Sequence, residues 1–123
     1  MWEGKHKGPL HDYMSKDTRR MMLKLMLLHR ISKKPCYSYG LIEDFSSHPK
    51  TAHLLNKTGK ELKNDIYNTI NALEKSSYIK SVAKVEGGKL KNYCYITPLG
   101  RKTLKKSLET FHRSIRELEK VVS

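Results

Sequence analysis

The chain has 123 residues, enough for one domain around one modest core. Its 25 Lys+Arg against 12 Asp+Glu give a net charge of +13, which predicts attraction to polyanions; the plainer reading is a basic soluble protein. Two cysteines far apart, Cys36 and Cys94, make no disulfide framework, and a polar start with no apolar run of about 18 residues points away from a signal peptide or a membrane span, so a reducing cytoplasm is expected.

Residues 1–14 hold two glycines and a proline without helical period and read as an arm. Trp2 lies in it, either docking on a partner or simply part of a loose end. A first helix is predicted from a cap at Ser15 or Asp17 to about Lys33. Its apolar residues, Met21 to Leu28 and Ile31, are broader than one stripe, which predicts burial on two sides. Lys34-Pro35 ends it. A second helix is expected over Tyr39 to Ser46, capped by Ser38 and facing inward with Leu41, Ile42 and Phe45. Residues 47–57 read as a looser connection with a short helical turn near Ala52–Leu55.

The third predicted helix carries the most chemistry. Thr58-Gly59-Lys60-Glu61 has capping-box spacing, and the helix runs to about Lys75. Leu62, Ile66, Thr69, Ile70 and Leu73 fall on one face. Lys60, Asn64, Tyr67, Asn71 and Lys75 fall opposite, with Asn68 beside them. Asparagine is a poor helix former, so three of them within two turns need a reason. Asn can pair with adenine in the major groove and Lys can reach guanine or phosphate. The plainer reading is a solvated helix face.

Two strands follow, Ile79 to Glu86 and Leu90 to Thr97, joined by Gly87-Gly88 as a tight hairpin turn. This register sets Glu86 opposite Lys89, Val85 opposite Leu90 and Lys84 opposite Lys91. Ile79, Ala83, Val85, Leu90, Cys94 and Ile96 then share a face suited to a core. Lys80, Val82, Lys84, Lys91, Tyr93 and Tyr95 share a basic, aromatic face. Opposed lysines destabilise a hairpin, and an anion lying across them would make the arrangement useful. Pro98 opens a last helix in which Leu104, Leu108, Phe111, Ile115, Leu118 and Val122 recur at heptad-type spacing. Such a seam suits packing on the same domain or pairing with a second copy, and a symmetric dimer is expected.

The six histidines, His6, His11, His29, His48, His53 and His112, show no metal-ligand spacing. No phosphate loop, carboxylate pair or activated nucleophile stands out, so neither an enzyme nor a cofactor is expected. The order of elements is that of a winged helix-turn-helix, with the third helix in the major groove and the hairpin on the backbone or minor groove. The fold class is mainly α with a small β-hairpin wing. Residues 15–97 form the DNA-binding domain and 98–123 the dimerisation helix.

Three motifs carry a family resemblance: KPCYSYGLI at Lys34–Ile42, DIYNTINALEKSSYI at Asp65–Ile79 and KLKNYCYITPLGRKTL at Lys89–Leu104. Together they resemble PadR-like transcriptional regulators over about residues 18–105. Tyr67, Leu73, Glu74, Tyr93, Ile96, Thr97, Gly100 and Arg101 fall in matching places. Ser77 stands where the family usually has glycine, the 48–61 connection is longer, and the wing tip is Gly-Gly-Lys. The resemblance implies a homodimeric regulator, usually a repressor, on a pseudo-palindromic operator in double-stranded DNA, working at the nucleoid of a prokaryotic cytoplasm. Mapped onto this chain, Lys60, Lys63, Asn64, Tyr67, Asn68 and Asn71 would read DNA. Tyr39 would contact the backbone, and Lys84, Lys89 and Lys91 would serve the wing; Tyr39 and Tyr67 have structural readings too. Family members often sense small aromatic or cationic compounds. Trp2, Met21, Met22, Met26 and Phe111 would line such a cavity here, although a Met-rich stripe is more often core. The rival to DNA reading is a winged-helix module that binds RNA, protein or DNA without sequence preference.

Overall fold

A computed structural model describes residues 15–122; the arm at 1–14, with Trp2, and Ser123 lie outside the described residues. Helix α1 spans Lys16–Lys33 and starts at Ser15, whose Oγ accepts the Thr18 N–H at 3.1 Å. Leu23, Leu27, Leu28 and Ile31 bury one side of it in the core. The second side expected to be buried is only half covered: Met22, Leu25 and Met26 are partly exposed and Met21 is exposed.

After Pro35 the chain stays extended for two residues, Cys36–Tyr37, which form strand β1. This strand was not expected, because two residues leave no period to read. It also moves the start of the next helix. Tyr37, still extended at φ −65° and ψ 122°, stands at the N-cap of α2, Ser38–Ser47, and gives it no side-chain hydrogen bond. Ser38 is therefore inside the helix and is not its cap. The 48–57 connection contains a true helix, α3, Pro49–Leu55, begun by the His48 ring accepting the Lys50 N–H at 3.2 Å. It ends on Asn56 in the left-handed region.

Helix α4, Gly59–Lys75, buries Leu62, Ile66, Ile70 and Leu73 against α1 and α2. Thr58 holds the N-cap position but its side chain makes no capping bond. Gly59 has φ +59°, a left-handed twist that disrupts the expected capping box. At the other end Tyr78 N–H bonds to the Leu73 carbonyl and Ser77 N–H to the Glu74 carbonyl, both at 3.0 Å. This is a Schellman ending, and it puts Ser77 at φ 64°, where glycine fits best.

Strands β2, Ile79–Glu86, and β3, Lys89–Ile96, pair antiparallel in the expected register from Ile79↔Ile96 to Glu86↔Lys89. Gly87 and Gly88 both have positive φ, as a turn of the I′ class requires. β1 pairs with β3 through Cys36↔Cys94 and Tyr37↔Tyr93, so the sheet order is β1-β3-β2. The expected core face of the hairpin is buried only at its base. Ile79 and Cys94 are in the core, but Val85 is 73% and Leu90 72% exposed. The hairpin runs past the helices, so its outer half has nothing to pack on.

Helix α5, Pro98–Val122, is fastened to the wing base at its first turn. Thr97 Oγ1 accepts the Gly100 N–H at 3.0 Å and donates to the Ser77 carbonyl at 2.6 Å. Gly100 lies on the Tyr78 backbone; a Cβ there would sit 2.1 Å from the Tyr78 oxygen. Arg101 Nη1 donates to the Ser32 carbonyl of α1 at 3.3 Å. Leu104 is buried and Leu108 packs at the core margin, but every residue from Glu109 to Val122 is exposed. That outer stretch is about 20 Å long at 1.5 Å per residue.

Cys36 and Cys94 are free thiols. Burial pushes Cys94 up to about 11, with Cys36 beside it adding to the effect, and burial raises Cys36 too.

Two consequences are measurable. Gly100→Ala forces Cβ into backbone and should cost about 2–4 kcal/mol in urea unfolding, whereas Ser77→Gly relieves a left-handed serine and should add about 0.5–1 kcal/mol. A silent Gly100→Ala would contradict the close approach. In the native protein near pH 8 neither thiol should react with a thiol reagent, and both should react once urea unfolds the chain. Fast labelling of the folded protein would contradict the burial.

Candidate nucleic-acid interface

The inward stripe of α4 fixes what points outward. Lys60, Lys63, Asn64, Tyr67 and Asn68 are exposed, and Asn71 is half-buried. The amides of Asn64, Asn68 and Asn71 have no hydrogen-bond partner among the described residues, so their donors and acceptors face solvent. Tyr67 is 55% exposed. Lys63 differs from the others: its Nζ lies 2.8 Å from Glu43 Oε2 on α2. That hydrogen bond, then the Glu43 charge, raises its pKa and keeps it protonated. Lys63 therefore ties α4 to α2 as well as facing outward. Lys57 and Asp65, at 2.6 Å, brace the start of α4 in the same way.

Through the Lys63–Glu43 pair the α4 face adjoins α2. Tyr39, on the first turn of the same helix α2 that carries Glu43, is 61% exposed. Its ring centroid is 6.0 Å from Tyr37, and Tyr37 is 5.9 Å from Tyr93. β1 thus delivers Tyr37 to the middle of a tyrosine row linking α2 with the wing. Sequence reasoning missed Tyr37 because it missed β1; Cys-Tyr after Lys-Pro was the only available signal of extended chain.

The wing lysines lie on these rings. Lys91 Nζ is 5.0 Å from the Tyr37 centroid, and Lys84 Nζ is 5.2 Å from both Tyr93 and Tyr95. Such placement attracts a cation to the face of the ring. Lys84 and Lys91 are opposed in the ladder as expected. The repulsion expected between them is offset in part within the hairpin itself. Glu86 Oε1 accepts the Tyr93 hydroxyl at 2.6 Å and stands 3.8 Å from Lys91 Nζ. The bond to Glu86, ahead of burial, raises the Tyr93 phenol. Lys89 faces Glu86 across the turn and is exposed.

The seam of α5 is divided. Leu104 and Leu108 pack on their own domain. Phe111, Ile115, Leu118 and Val122 are exposed, from 38% at Phe111 to 82% at Val122. A groove of about 360 Å³ between α1 and α5 is lined by Met21, Leu25 and Phe111. Met26 lines a separate cleft of about 390 Å³ with Arg30, Phe45 and His48. Met22 lines neither of these two, so the methionines of α1 do not converge on one of them. Among the described residues no group of His, Cys, Asp and Glu could hold a metal ion, and no helix is long and apolar enough to cross a membrane.

No family model and no curated protein sequence matches the chain. Solved structures do. A transcriptional regulator from Clostridium thermocellum is 26% identical, with 89% of this chain and 99% of that one covered at a TM-score of 0.65. A PadR family transcriptional regulator from Eggerthella lenta is 20% identical, with 87% of each chain covered and a TM-score of 0.64. A PadR-like transcriptional regulator from Bacillus cereus is 18% identical, with 87% of this chain and 97% of that one covered, also at 0.64. With its α2–α4 pair, its three-stranded sheet and its long last helix, the chain has the PadR-like winged-helix fold.

Proposed function

We infer that the protein is a sequence-specific, double-stranded DNA-binding transcriptional regulator that acts as a homodimer. One observation carries this reading: a single solvent-facing strip that joins the free amides of α4, through Tyr39, Tyr37 and Tyr93, to the lysines of the wing. A helix face with unpaired Asn donors and acceptors is the chemistry that distinguishes base edges in the major groove. The ring-backed lysines beside it suit phosphates, which position a protein without reading sequence. The neighbouring structures described as transcriptional regulators support the same reading.

The second copy is supported by α5. Phe111, Ile115, Leu118 and Val122 recur on one side of a helix that projects past its own domain, next to the groove holding Met21 and Leu25. Four exposed apolar residues in a row on a chain of this charge favour pairing with a twin. Two copies would present two α4 helices to half-sites about 34 Å apart, and so to a pseudo-palindromic operator. Occupying such a site favours repression, at the nucleoid of a prokaryotic cytoplasm.

A binding-site selection from random duplex DNA tests the reading. It should return a preferred sequence with two-fold symmetry, and sedimentation should give a dimer at micromolar concentration. Asn64→Ala or Asn68→Ala should then cost about 1–3 kcal/mol on the selected site and almost nothing on random duplex. Lys84→Ala should weaken binding to both duplexes and flatten the salt dependence. A selection that yields no preferred duplex would favour the rival, a module that binds RNA, protein or any DNA.

A further inference from the structure

Two polar groups of the wing, the Tyr93 hydroxyl and the Lys91 ammonium, meet at one carboxylate. Glu86 Oε1 accepts the Tyr93 hydroxyl at 2.6 Å and lies 3.8 Å from Lys91 Nζ. Lys84 Nζ stands over the same Tyr93 ring, and Lys89 is the ladder partner of Glu86. All five side chains project from one face of the hairpin, because residues 84 and 86 on β2 share a face with 89, 91 and 93 on β3. The Tyr37 ring backs Lys91 and the Tyr93 ring backs Lys84. A phenol donor and an ammonium group at a single oxygen, with two further lysines on the same hairpin face, are the makings of a receptor for a monovalent oxyanion. Glu86 is the only acidic residue in the hairpin, so the receptor is filled by the protein's own carboxylate.

We propose that the wing carries a phosphodiester-binding site built from Tyr93, Lys91, Lys84 and Lys89, and that Glu86 occupies it as an internal stand-in which a DNA phosphate must displace. The displacement moves no covalent bond. The carboxylate swings out to solvent, and the phosphate oxygen takes the Tyr93 hydrogen bond and the Lys91 charge. Glu86 is thus a selectivity element. It lowers the wing's attraction for any passing phosphate, so the wing engages firmly only where α4 also makes its base contacts. With Glu86 absent, the four lysines of the hairpin would add the same attraction to every sequence.

The role in DNA binding rests on the function proposed above, but the anion site itself does not, and the experiment separates the two. Binding to the selected duplex and to a random duplex is measured by anisotropy across a salt series for wild type, Glu86→Gln, Lys91→Ala and the double variant. Glu86→Gln should tighten random-duplex binding about three- to tenfold per copy and steepen its salt dependence. Its effect on the selected duplex should be smaller, which narrows the preference. In the Lys91→Ala background the gain should fall to less than half. A Glu86→Gln protein that keeps the wild-type Tm, affinity and salt slope overturns the proposal. The second arm uses dimethyl phosphate as the probe and follows the Tyr93 ring protons by NMR. They should shift in Glu86→Gln at concentrations that leave the wild type unmoved. If no duplex binds any variant, the regulator reading fails, and the anion site stands or falls on that titration alone; equal shifts or none overturn it.

Discussion

The Tyr78 backbone is the point at which three parts of the molecule are fastened. Its carbonyl oxygen accepts the Thr97 N–H at 3.0 Å, and Gly100 lies so close to that oxygen that no side chain fits between. Tyr78 is also the residue that closes the Schellman ending of α4. The backbone of one residue, through its N–H and its C=O, therefore fixes the end of α4, the base of both wing strands and the first turn of α5. Arg101 adds a fourth anchor on the end of α1. The angle between the α4 face and the projecting half of α5 is set here. If two copies pair through α5, this junction decides how far apart their α4 helices stand. The Thr-Pro-Leu-Gly-Arg run has a mechanical reason at four of its five positions: a cap, a first-turn proline, a close approach and a strut.

Much of the fold could be read from the chain because the responsible signals are local. The α4 face follows from Leu62, Ile66, Ile70 and Leu73 at helical spacing, and the hairpin register follows from two glycines that both need positive φ. Ser77 shows the same logic in reverse. It departs from the glycine of the resembled family, and the backbone holds it at φ 64°, the conformation that glycine serves. What escaped the sequence reading is tertiary. β1 exists only because β3 is there to pair with, and it displaces the α2 cap from Ser38 to Tyr37. The Thr58 box gave way to the twist at Gly59. Val85 and Leu90 alternate correctly for a core face, yet alternation cannot say where the helices stop.

The candidate site divides along the same line. Exposure of Lys60, Asn64, Tyr67 and Asn68 was legible, since it is the complement of the buried stripe. The Lys63–Glu43 pair was not, because it joins two helices whose packing no local pattern specifies. The charge surplus described attraction without placing it. Placement comes from rings: Tyr37, Tyr93 and Tyr95 hold Lys84 and Lys91, and Glu86 offsets their mutual repulsion. The opposed lysines thus have partners within the hairpin and β1 themselves.

The central claim is that α4 and the wing act as one surface on a duplex. Hydrogen exchange read by mass spectrometry, with and without the selected duplex, tests it most directly. The account predicts new protection in peptides covering residues 59–71, 37–40 and 84–93 together, with α5 unchanged if, as proposed, two copies pair through it before DNA is bound. Protection confined to α5 and the α1 groove, or to the wing without α4, would contradict it.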